Sequence, residues 1–246
     1  MSSLPDGCES KRILVTFDID GTLLKGGENA NTGHKRSIEW AVSQVWGIEA
    51  TVQGVKHAGL TDPIIIQNML LLHGKTEQEI WPKMNLAIQL AGEYFEKTYS
   101  TSETVVVLPG VKRVLESLQR RGVYLAIVSG NLETIGWKKI ERAELKPYFM
   151  TGAFGSDHTC RGELILLAKQ RILQQCGLSH DEIPWQVYHV GDTLEDMEAA
   201  NYARVKGIGV LTGSCTDVHS LSSAHPDFVI SDWMDGESEL LARLGI

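Results

Sequence analysis

Two pairs of carboxylates follow two separate apolar runs of the sequence. Asp18 and Asp20 follow the first run, and Asp192 and Asp196 follow a run much later in the chain. Residues two apart in a strand point the same way, and residues four apart on a helix share a face. Carboxylates that converge from two strand ends favour a hard cation with oxygen ligands, Mg²⁺ by preference. The pattern therefore predicts a Mg²⁺ site at the carboxyl edge of a sheet, where open α/β sheets bind ligands.

Two other interpretations of these acids can be weighed from the sequence. A calcium loop that starts at Asp18 needs Gly at its sixth position and Glu at its twelfth. Leu23 and Asn29 stand there, so the calcium loop is excluded. Asp192 has a second role open to it, because aspartate is also a common residue at the start of a helix.

A third polar group lies between the two acid pairs, again after an apolar run. Ser129, Gly130 and Asn131 offer a hydroxyl, a glycine N–H and a side-chain amide, which together can cradle a phosphate. The same tripeptide is common in ordinary turns. Its position after a strand, between two groups of acids, is what favours phosphate binding.

Short apolar runs alternate with helix-like segments over most of the chain, which predicts a parallel α/β sheet. The predicted strands are Ile13–Phe17, Tyr124–Val128, Val187–Val190 and Ile208–Leu211, with weaker candidates at Met150–Phe154 and Phe228–Ile230. The predicted helices between them are Val111–Arg121, Leu132–Glu144, Leu164–Cys176 and Leu194–Ala203.

One stretch contains helical patterns only, and it interrupts the alternation after the first strand. Its predicted helices are Thr32–Trp46, Asp62–Leu72 and Thr76–Tyr99, the last with a capping pattern at its start. We therefore expect a core of residues 1–24 and 105–246 with a helical cap at 25–104. Gly26, Gly27 and the stretch Thr101–Glu103 are the expected connections.

The net charge and the apolar runs of the sequence indicate which classes of partner and which cellular location to expect. The net charge is −8, and such a surface repels the phosphate backbone of nucleic acids. No apolar run is long enough to cross a bilayer, and the first ten residues lack a signal-peptide pattern. We expect a cytoplasmic protein without nucleic-acid or membrane partners, and the oligomeric state stays open.

Taken in order, these motifs resemble the haloacid dehalogenase superfamily, specifically phosphatase-like members with a helical cap inserted after the first strand. The stretch from Asp18 to Thr22 is similar to the first motif, Ser129 to the second, and Asp192 with Asp196 to the fourth. The resemblance covers nearly the whole chain. It implies a Rossmann-like parallel sheet with the cap above its carboxyl edge.

The third motif of that family is normally a lysine, and here the match is imperfect. Arg161 stands where the lysine is expected, and some members use arginine there. Arginine keeps its charge and can hold phosphate with two hydrogen bonds. Lys169 is the alternative, although it falls in the middle of a predicted helix.

The resemblance implies the roles of the core residues. Asp18 is the expected nucleophile, and Asp20 the acid that protonates the leaving alcohol and then activates water. Mg²⁺ is expected on Asp18, the backbone carbonyl of Asp20, and Asp192. The phosphate is expected on a set that includes the arginine: Ser129, Gly130, Asn131 and Arg161. Asp196 is expected to orient that arginine or a water on the metal.

The cap is expected to select the substrate, a small phosphorylated metabolite. His57, Thr61 and Asp62 are the candidate contacts, although a surface-loop histidine and an aspartate supporting its own helix are alternatives. Dehalogenases of the superfamily lack an acid at the position of Asp20, so this residue favours phosphoryl transfer. A phosphomutase or phosphonate hydrolase on the same scaffold, and a weakly active binding or regulatory protein, are the competing hypotheses.

Overall fold

A computed structural model describes residues 12–25, 32–99, 104–178, 184–213 and 218–246. Within these residues one sheet of six parallel strands runs in the order β3-β2-β1-β4-β5-β6. The strands are β1 (Arg12–Phe17), β2 (Tyr124–Ser129), β3 (Thr151–Phe154), β4 (Trp185–Gly191), β5 (Lys206–Val210) and β6 (Phe228–Ile230). The predicted parallel α/β sheet is confirmed, including its two weaker strands.

Helices cover both faces of the sheet, which explains why the central strands are mostly apolar on both faces. The core helices are α4 (Val111–Arg120), α5 (Glu133–Arg142), α6 (Arg161–Cys176), α7 (Leu194–Ala203), α8 (Val218–Ser222) and α9 (Glu237–Leu244). Phe17 of β1 packs in the cluster that contains Val114 of α4, whereas Leu14 packs with Leu164 of α6. Full burial of a side chain such as Phe17 contributes about 1.5–3 kcal/mol.

Three helices between β1 and α4 form the cap: α1 (Thr32–Trp46), α2 (Asp62–Leu72) and α3 (Glu77–Thr98). They bury an apolar cluster of their own, which includes Ile38, Ile66 and Ile80. The predicted capping pattern at the start of α3 is confirmed, because Glu79 accepts a hydrogen bond of 2.9 Å from the Thr76 N–H. The predicted connections at residues 26–27 and 101–103 lie outside the described residues, and the exact domain boundaries stay a prediction.

Two local expectations about the acids are wrong. The strand β1 ends at Phe17, so strand alternation does not govern the directions of Asp18 and Asp20. The helix α7 begins at Leu194 with Thr193 as its cap, so Asp192 neither caps that helix nor shares a helical face with Asp196. Threonine takes the capping position because its hydroxyl pairs with the backbone N–H of the residue three positions later.

Other differences from the sequence-based bounds are at the ends of strands and helices, and α8 and α9 have no counterpart among the predicted helices. The helix α6 begins at Arg161 rather than Leu164, because its first turn is polar and lacks the apolar spacing that marks its interior. Among the described residues, no helix combines the length and the hydropathy that a membrane-spanning helix needs.

Candidate active site

The loops that leave β1, β2 and β4 meet at the carboxyl edge of the sheet, below the cap. They enclose a cavity of about 830 Å³ between cap and core. Six residues on its core side were predicted for catalysis or phosphate binding: Asp18, Asp20, Ser129, Gly130, Asn131 and Arg161. The structure therefore brings together groups that are far apart in the sequence.

Asp18 is buried and only 6% exposed. The loop from β1 is tied to β4, because the Asp18 N–H donates to the Val190 carbonyl at 3.0 Å. Arg161 Nη2 lies 3.2 Å from Oδ1, yet no described donor makes a regular hydrogen bond to this oxygen. Burial raises the pKa of Asp18 to about 6, despite the opposing charge of Arg161. The ionised form of Asp18 is therefore energetically unfavourable in this site, and a further cation would stabilise it.

Asp192 sits in a cradle made by two glycines. A Cβ on Gly21 or on Gly213 would collide with the Asp192 carboxylate. Gly21 also has a φ of +86°, which glycine adopts without strain. Thr22 donates its hydroxyl to Asp192 Oδ1 at 3.3 Å. Gly21, which follows the first aspartate pair, therefore leaves space for the Asp192 carboxylate, which follows β4.

Asp196 is fully buried in a hydrogen-bond network that uses both of its oxygens. Its Oδ1 accepts from Arg161 Nη2 and lies 3.3 Å from His189 Nε2. Its Oδ2 accepts from the Thr193 N–H at 3.0 Å and from the Thr193 hydroxyl at 2.5 Å. Burial opposes ionisation, but the charge of Arg161 and the histidine contact outweigh it and hold the pKa of Asp196 well below its usual range. This arrangement suits a residue that orients Arg161.

A divalent cation fits this site on the evidence of its donors. Carboxylate oxygens of Asp18, Asp192 and Asp196 lie within 4.8 Å of one another. Three buried acids exceed the charge of the one guanidinium between them, and an Asp18 oxygen lacks a regular donor within the described residues. The side chain of Asp20 is not part of this group of described carboxylates, so its predicted place on the metal depends on its backbone carbonyl.

The predicted phosphate cradle lies directly after β2. Ser129 is fully buried, and its Oγ accepts from Asn131 Nδ2 at 2.7 Å. The same Nδ2 donates to Asp20 Oδ2 at 2.9 Å, so both amide hydrogens of Asn131 are used within the protein. A Cβ on Gly130 would collide with the Leu60 carbonyl of the cap. Glycine at this position therefore allows the cap loop to approach the cradle closely.

Lys139 is a residue of the site that the sequence analysis missed. It lies on α5, is 1% exposed, and its Nζ is 2.8 Å from Asp20 Oδ2. Burial opposes ionisation of Asp20, but the Lys139 charge and the hydrogen bonds from Lys139 and Asn131 lower its pKa to about 2. The available signal was a lysine placed four residues after Ile135 and just before Ile140, on the apolar stripe of its helix.

The cap residues expected at the substrate occupy different surroundings. His57 is exposed and lines the cavity. Thr61 is buried and donates its hydroxyl to the Thr159 carbonyl of the core at 3.2 Å. Asp62 lines the cavity but is 2% exposed, and it contacts His34 of α1, which the sequence analysis also missed. Their role as substrate contacts stays a prediction.

The two candidates for the third motif are separated by the geometry of α6. Arg161 is the first residue of the helix, where it contacts both Asp18 and Asp196. Lys169 lies eight residues further along, which is about 12 Å at 1.5 Å per residue. Of the two candidates, Arg161 is therefore the one that contacts Asp18.

Comparison with known proteins gives an independent view of this arrangement. A family model described as haloacid dehalogenase-like hydrolase matches residues 14–204. A phosphoglycolate phosphatase of Pseudomonas putida is 25% identical over 219 residues, which cover 89% of this chain and 76% of that protein.

Solved structures share the fold at lower identity. A predicted phosphoglycolate phosphatase from Haemophilus somnus is 20% identical with a TM-score of 0.62, covering 95% of this chain and 100% of that one. CbbY from Rhodobacter sphaeroides, solved in complex with phosphate, is 14% identical with a TM-score of 0.64, covering 92% of this chain and 96% of that one. Because the family model matches well over half of its length, the chain belongs to the haloacid dehalogenase-like hydrolases.

Proposed function

We propose that the protein is a Mg²⁺-dependent phosphatase that hydrolyses a small phosphomonoester through a phosphorylated Asp18. The observation that carries this proposal is that Asp18 and Arg161 line one cavity, while carboxylate oxygens of Asp18 and the buried Asp192 lie within 4.8 Å of each other. The family assignment and the phosphoglycolate phosphatases among the relatives support the same reaction class.

The cation is assigned to Asp18, Asp192 and the backbone carbonyl of Asp20. Asp196 is left out because Arg161, His189 and Thr193 already use its two oxygens. When bound, Mg²⁺ reduces the repulsion between a carboxylate nucleophile and a phosphate dianion.

In the first step, an oxygen of Asp18 attacks phosphorus, and the bond from phosphorus to the alcohol oxygen breaks. The Arg161 guanidinium and backbone N–H groups of the cradle hold the other phosphoryl oxygens. Asp196 keeps the guanidinium in place for this contact. The product is an acyl phosphate on Asp18.

Asp20 handles the proton in both steps. It lowers the barrier to the first step by giving a proton to the departing alcohol. In the second step, as a carboxylate, it takes a proton from the water that attacks phosphorus, while the bond from phosphorus to the Asp18 oxygen breaks, which releases phosphate and restores the Asp18 carboxylate. Its pKa of about 2 makes it a carboxylate before the substrate arrives. The incoming phosphate dianion disfavours the negative charge of Asp20 and raises its pKa, so Asp20 takes up a proton from solvent as the substrate binds and has it available for the alcohol.

The size of the cavity supports a small substrate. A volume of about 830 Å³ falls within the usual range of small-molecule sites, and the cap covers it. Phosphoglycolate is the first compound to test, because several relatives carry that name.

The deciding experiment measures phosphate release from p-nitrophenyl phosphate and from phosphoglycolate, with and without Mg²⁺. We expect turnover that requires Mg²⁺, a phosphorylated chain after acid quench, and no activity in Asp18→Asn. Asp157→Asn is the matched control, because Asp157 pairs with Arg171 away from the cavity. Turnover that survives in Asp18→Asn contradicts the proposal, and isomerisation of a sugar phosphate without phosphate release supports a mutase instead.

A further inference from the structure

Lys139 is a buried lysine whose ammonium group has a hydrogen-bond acceptor for each of its three N–H groups. Its Nζ lies 2.8 Å from Asp20 Oδ2, 2.7 Å from Asn131 Oδ1 and 3.2 Å from His34 Nδ1. An ammonium has three N–H donors, and three acceptors surround this one. Burial of a lysine is tolerated only when its charge is paired and its donors are used. The ammonium is therefore fixed in position, and its hydrogen bonds restrict the orientations of Asp20, Asn131 and His34.

The contact with His34 determines how the next hydrogen bond is made. Because Nδ1 of His34 accepts from Lys139, the ring proton belongs on Nε2. Nε2 lies 2.8 Å from Asp62 Oδ2, so it donates to that carboxylate. The same oxygen accepts from the Leu132 N–H at 2.6 Å. A continuous chain of hydrogen bonds thus runs from Asp62 through His34 and Lys139 to Asp20.

This chain joins the two parts of the molecule. His34 and Asp62 belong to the cap helices α1 and α2, whereas Lys139 and Leu132 belong to the core. A further contact between the parts lies beside it, because the Asp62 N–H donates to the Gly130 carbonyl at 2.8 Å. The full set of partners around Lys139 exists only while the cap is seated on the core.

Asp20 is held at one oxygen by this arrangement. Lys139 and Asn131 both donate to Oδ2, which fixes the rotation of the carboxylate. Its side chain is 23% exposed and lines the cavity. A carboxylate that transfers protons has to reach the substrate oxygen at hydrogen-bond distance. Loss of the ammonium would remove one of the two donors that hold Oδ2 and would loosen the orientation of Asp20 without removing the carboxylate.

We propose that Lys139 is a positioning residue for Asp20, and that His34 and Asp62 of the cap complete its site. The proton-transferring carboxylate is then aligned only when the cap covers the cavity, which limits reaction in the open protein. This inference rests on the proposed phosphatase function and assigns to it a group outside the four motifs.

The test uses two substrates of nearly equal shape that differ in their need for a proton. Phenolate is a stronger base than p-nitrophenolate, so its departure depends more on proton transfer from Asp20. The measured quantity is kcat/KM for phenyl phosphate and for p-nitrophenyl phosphate with saturating Mg²⁺, because it reports the first phosphoryl transfer. In Lys139→Met we expect the loss to be at least about tenfold greater for phenyl phosphate.

The neighbouring lysine provides a matched control. Lys138 lies on the same helix and pairs with Glu96 and Glu141 at the surface. Lys138→Met should keep the wild-type ratio between the two substrates. A merely structural role of Lys139 would lower both kcat/KM values by the same factor, and that result would overturn the inference. Absence of turnover of either substrate by the wild-type protein would instead overturn the proposed function itself.

Asp62→Asn tests the cap side and remains informative if Lys139→Met fails to fold. The substitution keeps the shape of the side chain but weakens its hold on His34 and on the Leu132 N–H. We expect a smaller selective loss with phenyl phosphate than in Lys139→Met. Because Asp62 acts through Lys139, the double variant should be no more selective than Lys139→Met alone. Unchanged selectivity in Asp62→Asn, or additive losses in the double variant, would contradict the role of the cap.

Discussion

Arg161 and Lys139 are two buried cations that each face one of the paired aspartates, but the two aspartates respond in opposite ways. Arg161 contacts Asp18, and the pKa of Asp18 is nevertheless raised to about 6. Lys139 contacts Asp20, and the pKa of Asp20 is lowered to about 2. Burial disfavours the charged form of both carboxylates, and each carboxylate has a cation nearby. Neither factor alone therefore explains the difference between the two pKa values.

The number of acids that share each cation explains it. Arg161 is drawn to Asp196 as well as to Asp18, and Asp192 adds a third negative charge nearby. Lys139 instead serves one carboxylate, and its other partners Asn131 and His34 are not acids. The Asp18 side of the site therefore carries more negative than positive charge, whereas Asp20 and Lys139 balance each other. Under the proposed function, the Asp18 side attracts metal and phosphate, and the Asp20 side aligns the group that transfers protons.

Removal of Arg161 should have the largest effect on activity. Arg161→Met takes away the guanidinium that is proposed to hold the phosphoryl group, and loss of one such donor lowers turnover by about 10²–10³-fold. It also leaves Asp18 and Asp196 without their shared cation. Phosphate release with saturating Mg²⁺ is the measurement.

Arg171→Met is the control for this substitution, because Arg171 lies on the same helix and pairs with Asp157. It should keep activity near the wild-type value. Activity of Arg161→Met within about threefold of wild type would show that the cation beside Asp18 is dispensable, and the comparison between the two sides would lose its functional meaning.

The sequence predicted the Arg161 side of this comparison better than the Lys139 side, for a physical reason. Asp18 and Asp192 follow central strands, and apolar runs mark such strands clearly. Parallel strands then bring their carboxyl ends together without further information. Lys139 shows no such mark, since a lysine in a helix usually faces solvent. Its partner His34 is 105 residues away, so only the packing of α1 against the core reveals the contact.

The second prediction concerns stability without metal, where the two aspartates should behave with opposite signs. Asp18→Asn removes a buried charge whose pKa is raised, so it should increase the free energy of unfolding by about 1–3 kcal/mol at pH above about 6. Asp20→Asn leaves the buried ammonium of Lys139 without its counter-charge and should decrease that free energy by about 3–5 kcal/mol. Urea denaturation of the two variants in a chelating buffer measures both effects.

Asp157→Asn serves as the reference for the loss of one charge outside the site. Changes of the same sign in Asp18→Asn and Asp20→Asn would contradict the difference in charge balance. If the two variants change stability with the expected opposite signs, and the chelator leaves the stability of the wild type unchanged, the charge imbalance belongs to the protein itself and not to the loss of bound metal.

The smallest expected effect is the pH dependence of stabilisation by Mg²⁺. This measurement tests the Asp18 side of the site separately from the Asp20 side. An Asp18 pKa of about 6, against 3.8 for the ordinary residue, means that the folded protein favours the protonated carboxyl. Stability without metal therefore decreases as pH rises from about 4 to about 6, and is not regained above it. A cation that binds the ionised carboxylate has to displace this proton below about pH 6 and has no proton to displace above it.

The gain in unfolding free energy from a fixed Mg²⁺ concentration should therefore rise with pH, by up to about 1.4 kcal/mol per pH unit below about pH 6, and level off above it. Thermal denaturation with and without Mg²⁺ across this range gives the measurement. The rise should be absent in Asp18→Asn and retained in Lys139→Met because, of the two aspartates, Lys139 pairs with Asp20. A rise that persists in Asp18→Asn would assign the displaced proton to another group and remove the argument that Asp18 is the carboxylate in need of a cation.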